Sequence, residues 1–200
     1  FKIYYVNEEK LDPIDFDDIT DLERIKIEWG PISCMRLSDD IKRISYLFHD
    51  NFNENVSNLN VDKVTNMRGL FIDNKLFNQD ISKWNVGNVI NMSQMFEGSI
   101  FNGNIKSWDV SNVTNMNSMF LRGKFNQDIS GWDVSKVVSM KEMFKNSKFN
   151  QDISSWDVRK VTDFRGMFDG TPMEGTVPED YFTVLEVPNL TQDDIKVIVD

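Results

Sequence analysis

From Phe52 onward, apolar residues occupy fixed positions that recur every 24 residues. The copies read FNQDISKWNVGNVINMSQMFEGSI, FNGNIKSWDVSNVTNMNSMFLRGK, FNQDISGWDVSKVVSMKEMFKNSK and FNQDISSWDVRKVTDFRGMFDGTP, after a weaker copy one residue longer, FNENVSNLNVDKVTNMRGLFIDNKL. In the copy that begins at Phe125, the positions Phe125, Ile129, Trp132, Val134, Val137, Met140, Met143 and Phe144 stay apolar in nearly every other copy, while polar types vary between them. These columns predict an inward ladder. A unit this small cannot bury its apolar face alone, so it stacks on its neighbours. Stacking like on like makes Trp132→Ala a change felt by several copies together.

Within a copy, Asn126 to Ser130 is short and alternating, which predicts a strand paired in parallel with the next copy, roughly 4.8 Å away. The column Asn66, Asn91, Asn115, Ser139, Asp163 holds only residues favoured at helix N-caps, and the apolar residues that follow have helical spacing. The predicted fold class is therefore an α/β repeat solenoid. It is leucine-rich-repeat-like, with short parallel strands plus short capped helices, period 24, about five turns, and N- and C-terminal caps.

The predicted boundaries are a cap over 1–37, a half repeat over 38–51, the repeats over 52–173 and a second cap over 174–200. Phe1–Val6 and Arg24–Trp29 read as strands, on either side of an acidic stretch from Asp12 to Asp21. Ile44, Leu47 and Phe48 match Met67, Leu70 and Phe71, with Ser38 as the N-cap of that half repeat. Thr191 and Asp194 fit a capping box ahead of the terminal IKVIV.

The pattern FNQDISxWDVSxVTNMxxMF, from Phe52 to Phe168, resembles the BspA-like leucine-rich-repeat surface proteins, and specifically the mycoplasma-type lipoprotein repeat once called domain of unknown function 285. The resemblance implies a bacterial surface protein or lipoprotein and, by analogy with some relatives, adhesion to host matrix or to other cells. It supplies no catalytic residues, and the chain shows no lipidation cysteine or wall anchor.

Composition narrows the classes further. The chain is 40% hydrophobic and 27% charged, ordinary for a globular protein, and no apolar run is long enough to span a bilayer. Its net charge of −10 is concentrated at the ends. Residues 1–59 carry 7 basic and 13 acidic side chains, residues 60–170 carry 14 and 12, and residues 171–200 carry 1 and 7. Acidic flanks without a basic stripe argue against nucleic-acid binding. The single Cys34 excludes an internal disulfide and a multi-cysteine metal site. Because the chain opens at Phe1 rather than Met, a processed N-terminus is expected, and a missing leader says nothing about secretion.

Several columns carry possible chemistry. Paired methionines such as Met116 and Met119 suit a soft metal, but their period is that of the apolar ladder, so packing is expected. The column Asp80, Asn104, Asp128, Asp152 suits either backbone-bonded carboxylates or a cation, and Asn85, Asp109, Asp133, Asp157 suits bonds to turn amides. Asn53, Asn78, Asn102, Asn126 and Asn150 predict a structural asparagine ladder. His49, the only histidine, belongs to no recognisable catalytic motif. The expectation is a non-enzymatic module for protein interaction or adhesion, with no cofactor and no metal, on a cell or particle surface or secreted. Its partner is a protein or cell-surface ligand, without membrane insertion. The predicted contacts are Gln79, Asp80, Gln127, Asp128, Gln151 and Asp152, with Gly98–Ser99 and Arg122–Lys124 beside them. The alternative is a structural spacer that docks through its acidic caps.

Overall fold

The computed structural model describes residues 2–5, 14–15, 35–37 and 41–175. Near the N-terminus, β1 (Lys2–Tyr5) lies between β2 (Ile14–Asp15) and β3 (Met35–Leu37), antiparallel to both. The strand expected at Phe1–Val6 therefore forms over Lys2–Tyr5, whereas Arg24–Trp29, Ser38 and the terminal capping box lie outside the described residues.

From Ile41 the chain runs as a stack of 24-residue layers, and the apolar ladder faces inward as predicted. Phe125, Ile129, Trp132, Val134, Val137, Met140, Met143 and Phe144 are all buried, as are their counterparts above and below. Phe96, Phe120 and Phe144 stack at 5.8 and 5.7 Å with their rings within 3° of parallel. A second column, Phe101, Phe125 and Phe149, has a spacing of 6.4 Å. Phe120 and Phe125 join the two columns within a layer at 4.1 Å. Each large buried side chain contributes roughly 1.5–3 kcal/mol. Trp132 stacks on Trp156 at 6.5 Å and donates its indole N–H to the Ile105 carbonyl at 3.2 Å, so it ties three layers together.

The expected α/β repeat solenoid of leucine-rich-repeat type does not form. No helix occurs among the described residues, and their only named strands are β1 to β3. Asn126–Ser130 is irregular. The parallel pairing falls instead on isolated bridges that link Arg43, Asn66, Asn91, Asn115, Ser139 and Asp163 in succession. The column read as helix N-caps is thus where the layers pair.

The reason lies in the backbone that follows this column. Ser118 and Arg122 have φ of 55° and 56°, and the equivalent positions in the other layers are left-handed too: Gln94 and Gly98, then Glu142 and Asn146. A left-handed residue ends an α-helix but suits the second central position of a type II turn. Turns with Ser118 and Arg122 at that position accordingly close from Met119 to Met116 at 3.2 Å and from Gly123 to Phe120 at 2.9 Å, and a further turn closes between them from Leu121 to Ser118 at 3.2 Å. Every second N–H is left pointing along the stack. Those of Met116, Ser118, Phe120 and Arg122 donate to Ser139, Lys141, Met143 and Lys145 at 3.0, 2.8, 2.9 and 2.8 Å.

This geometry sets the sign of a substitution. Glycine in a helix interior costs about 0.5–1 kcal/mol, but at a left-handed position it removes a steric penalty. Ser118→Gly is expected to leave stability unchanged or raise it by up to about 1 kcal/mol, read from the urea midpoint. A loss of that size would indicate a helical segment.

Candidate functional site

Three rows of Asn and Asp side chains run along the stack, each fixed by its own backbone. In the first, Oδ1 of Asp80, Asn104, Asp128 and Asp152 accepts the N–H two residues on, at 2.9, 3.0, 3.0 and 2.9 Å. In the second, Asn85, Asp109, Asp133 and Asp157 do the same at 3.2, 3.0, 3.0 and 3.3 Å. The third is the bridge row, where Asn66, Asn91 and Asn115 accept at 3.0, 2.9 and 2.9 Å. An N-cap and a turn use the same side-chain bond to a nearby amide, so the residue type suits both.

The asparagine ladder forms beside the first row. Asn102, Asn126 and Asn150 donate their backbone N–H groups to Oδ1 of Asn78, Asn102 and Asn126, each at 2.8 Å. Two of the predicted contact glutamines reinforce it. Gln79 and Gln151 are half-buried, and their Nε2 groups donate to Asn53 and Asn126 at 3.1 Å. Gln127 is half-buried as well. Asp80 and Asp152 are exposed, while half-buried Asp128 pairs with Lys106 Nζ at 2.5 Å. Of the flanking loop positions, Arg122 and Lys124 are exposed, but Ser99 is buried and caps the Phe101 N–H at 3.1 Å. Gln79, Gln151, Asp128 and Ser99 therefore have partners inside the stack, and the outward groups include the second carboxylate oxygens of Asp80 and Asp152.

The hydrogen bonds keep these carboxylates ionised. The Lys106 ammonium, then Ser130, hold Asp128 well below the ordinary value of 3.8. Ser82 and Ser154 lower Asp80 and Asp152, and Ser111 and Ser135 lower Asp109 and Asp133. Arg159 lowers Asp157 to about 2. Among the described residues, no group of three or more potential ligands gathers at a metal-binding distance. The methionine pairs are core: Met116, Met119, Met140 and Met143 are fully buried. His49 Nδ1 lies 2.7 Å from Asp50.

One cluster has no counterpart in the sequence reading. Arg68 Nε donates to Gln94 Oε1 at 3.0 Å, Gln94 Nε2 to Glu97 at 2.9 Å and Arg122 to Glu97 at 2.7 Å, with the Arg68 guanidinium 5.8 Å from the Tyr46 ring. Its signal in the sequence is Glu97, an acidic residue between Ile72 and Leu121 in a column that continues with Lys145 and Asp169.

Residues 31–122 and 99–177 both match the family described as Mycoplasma protein of unknown function, DUF285. The chain belongs to the DUF285 family. No curated protein and no solved structure matches it. The match is to DUF285 and does not itself show the BspA-like assignment, so the face must be read from its own geometry. No helix among the described residues of this DUF285 chain is long and apolar enough to cross a membrane.

The depressed carboxylates imply an acid limit. Because their folded values lie below the unfolded one, their stabilisation is complete above 3.8 and is lost as pH falls toward about 2, the value for Asp157. The urea midpoint should fall on acidification from about pH 5 to about pH 2. Asp157→Asn, which keeps the turn as Asn85 does, should make that fall shallower. A midpoint independent of pH over this range would contradict the assignment.

Proposed function

We propose that this DUF285 chain is a non-enzymatic recognition module that binds a protein or cell-surface ligand through its Asp row, displayed on a cell or particle surface. The observation that carries this reading is the fixed orientation of Asp80, Asp128 and Asp152. In each, Oδ1 is held by the backbone; the remaining oxygens of Asp80 and Asp152 are presented from layers whose height is set by the stack, while that of Asp128 pairs with Lys106 Nζ. Groups ordered before binding lose little rotamer entropy on contact, so weak contacts repeated along the row add up. Carboxylates in a row favour a partner with basic or hydrogen-bond-donating groups at matching spacing.

Two measurements test the reading. Protease treatment of intact source cells should release peptides from residues 52–173 while a cytoplasmic control stays protected; retention of these peptides would remove the surface display. The combined change Asp80→Asn, Asp128→Asn and Asp152→Asn keeps the turns, as Asn104 does in the same row, and removes the charge. It should lower binding to matrix proteins or host cells by about tenfold or more, measured well below the variant's own thermal midpoint, which is expected to fall because the stabilisation by the ionised carboxylates is lost. Unchanged binding would place the contact elsewhere.

A further inference from the structure

One member of the asparagine ladder differs from the rest. Asn78, Asn126 and Asn150 are each followed by glutamine, whereas Asn102 is followed by Gly103, the only Asn-Gly pair in the chain. The ladder bonds are otherwise equivalent: Oδ1 of Asn102 accepts the next layer's N–H at 2.8 Å, as does Oδ1 of Asn126. Asn102 is exposed, and among the described residues no hydrogen bond holds the Gly103 N–H or the Asn102 Nδ2. Glycine places no Cβ beside its nitrogen and leaves the local backbone free to turn. The nucleophile, the carbonyl carbon and the leaving group are thus adjacent and accessible at one layer of the stack.

We propose that Asn102 is a site of spontaneous deamidation. The Gly103 backbone nitrogen attacks Cγ of Asn102, and the new C–N bond closes a succinimide ring. The bond from Cγ to Nδ2 breaks, and ammonia leaves with the proton from the glycine nitrogen. Water then opens the ring at either carbonyl to give aspartate or isoaspartate. Both products place a new carboxylate in the ladder between Asn78 and Asn126, in the layer between those of Asp80 and Asp128. Isoaspartate also adds a carbon to the main chain, in a layer whose register with Asn126 is fixed by a 2.8 Å bond. The effect on ligand binding rests on the proposed function, but the modification itself does not.

The test compares four asparagines in one molecule. The full folded chain is incubated in heavy-oxygen water at mildly alkaline pH, digested and mapped, and isoaspartate is detected with an isoaspartyl methyltransferase. Asn102 should take up label at least about tenfold faster than Asn78, Asn126 and Asn150. Gly103→Gln should abolish the excess. A Cβ at that position lies 2.8 Å from the Phe101 ring, so the thermal midpoint of the variant is measured alongside. If the variant does not fold, Gln127→Gly takes its place and should create a second labelled site at Asn126. Labelling of Asn102 in urea-unfolded chain but no excess over its neighbours in the folded chain would overturn the proposal, because the ladder would then be holding the amide out of reach.

Discussion

The stack depends on backbone N–H groups that the chain does not satisfy within its own layer. Left-handed residues at positions such as Ser118 and Arg122 turn every second N–H of that segment along the stacking direction, where the next layer supplies the carbonyl. A helix would have used those donors internally and presented only side chains to its neighbours. Here the backbone itself carries the contact, so one layer alone would expose a row of unpaired donors, and the layers form together or not at all.

The side-chain chemistry is arranged around that constraint. Most reversals of direction have an Asn, Asp, Ser or Thr whose oxygen takes up a nearby amide, and the buried corner between the two phenylalanine columns holds Asn74, Ser99, Ser147 and Thr171, with Gly123 in the remaining layer. Asn74 there donates to the carbonyls of Phe48 and Phe52 at 2.8 and 2.7 Å. No buried side-chain nitrogen or oxygen among the described residues is left without a partner. The same bonds that satisfy the backbone also fix the outward oxygens of the Asp row. On this account, the polar face is a product of the folding chemistry, and recognition uses what the turns already hold in place.

Much of this is legible in the residues. Identical apolar columns at a fixed period name the core, and all eight inward positions of the layer that begins at Phe125 are buried. The asparagine ladder and the turn-bonded aspartates also follow from residue type. Local backbone conformation does not. The segment Met116 to Phe120 has helical apolar spacing and a favoured N-cap before it, yet Ser118 is left-handed. Serine announces no such conformation, and the cues are the glycines at Gly69 and Gly166 in the same column, two of its five residues. Strand and bridge were likewise exchanged, because alternation at Asn126–Ser130 reflects turn-bonded side chains rather than an extended ladder. The outward oxygens could be named from the row, but which face groups were already engaged, such as Gln79 and Gln151, depended on distances between layers.

The most direct test of the central claim is NMR detection of scalar coupling across hydrogen bonds between amide nitrogens and carbonyl carbons. The account predicts correlations from the Ser118 nitrogen to the Lys141 carbonyl and from the Phe120 nitrogen to the Met143 carbonyl, repeated through the stack. Correlations from each nitrogen to the carbonyl four residues earlier, the signature of an α-helix, would contradict it.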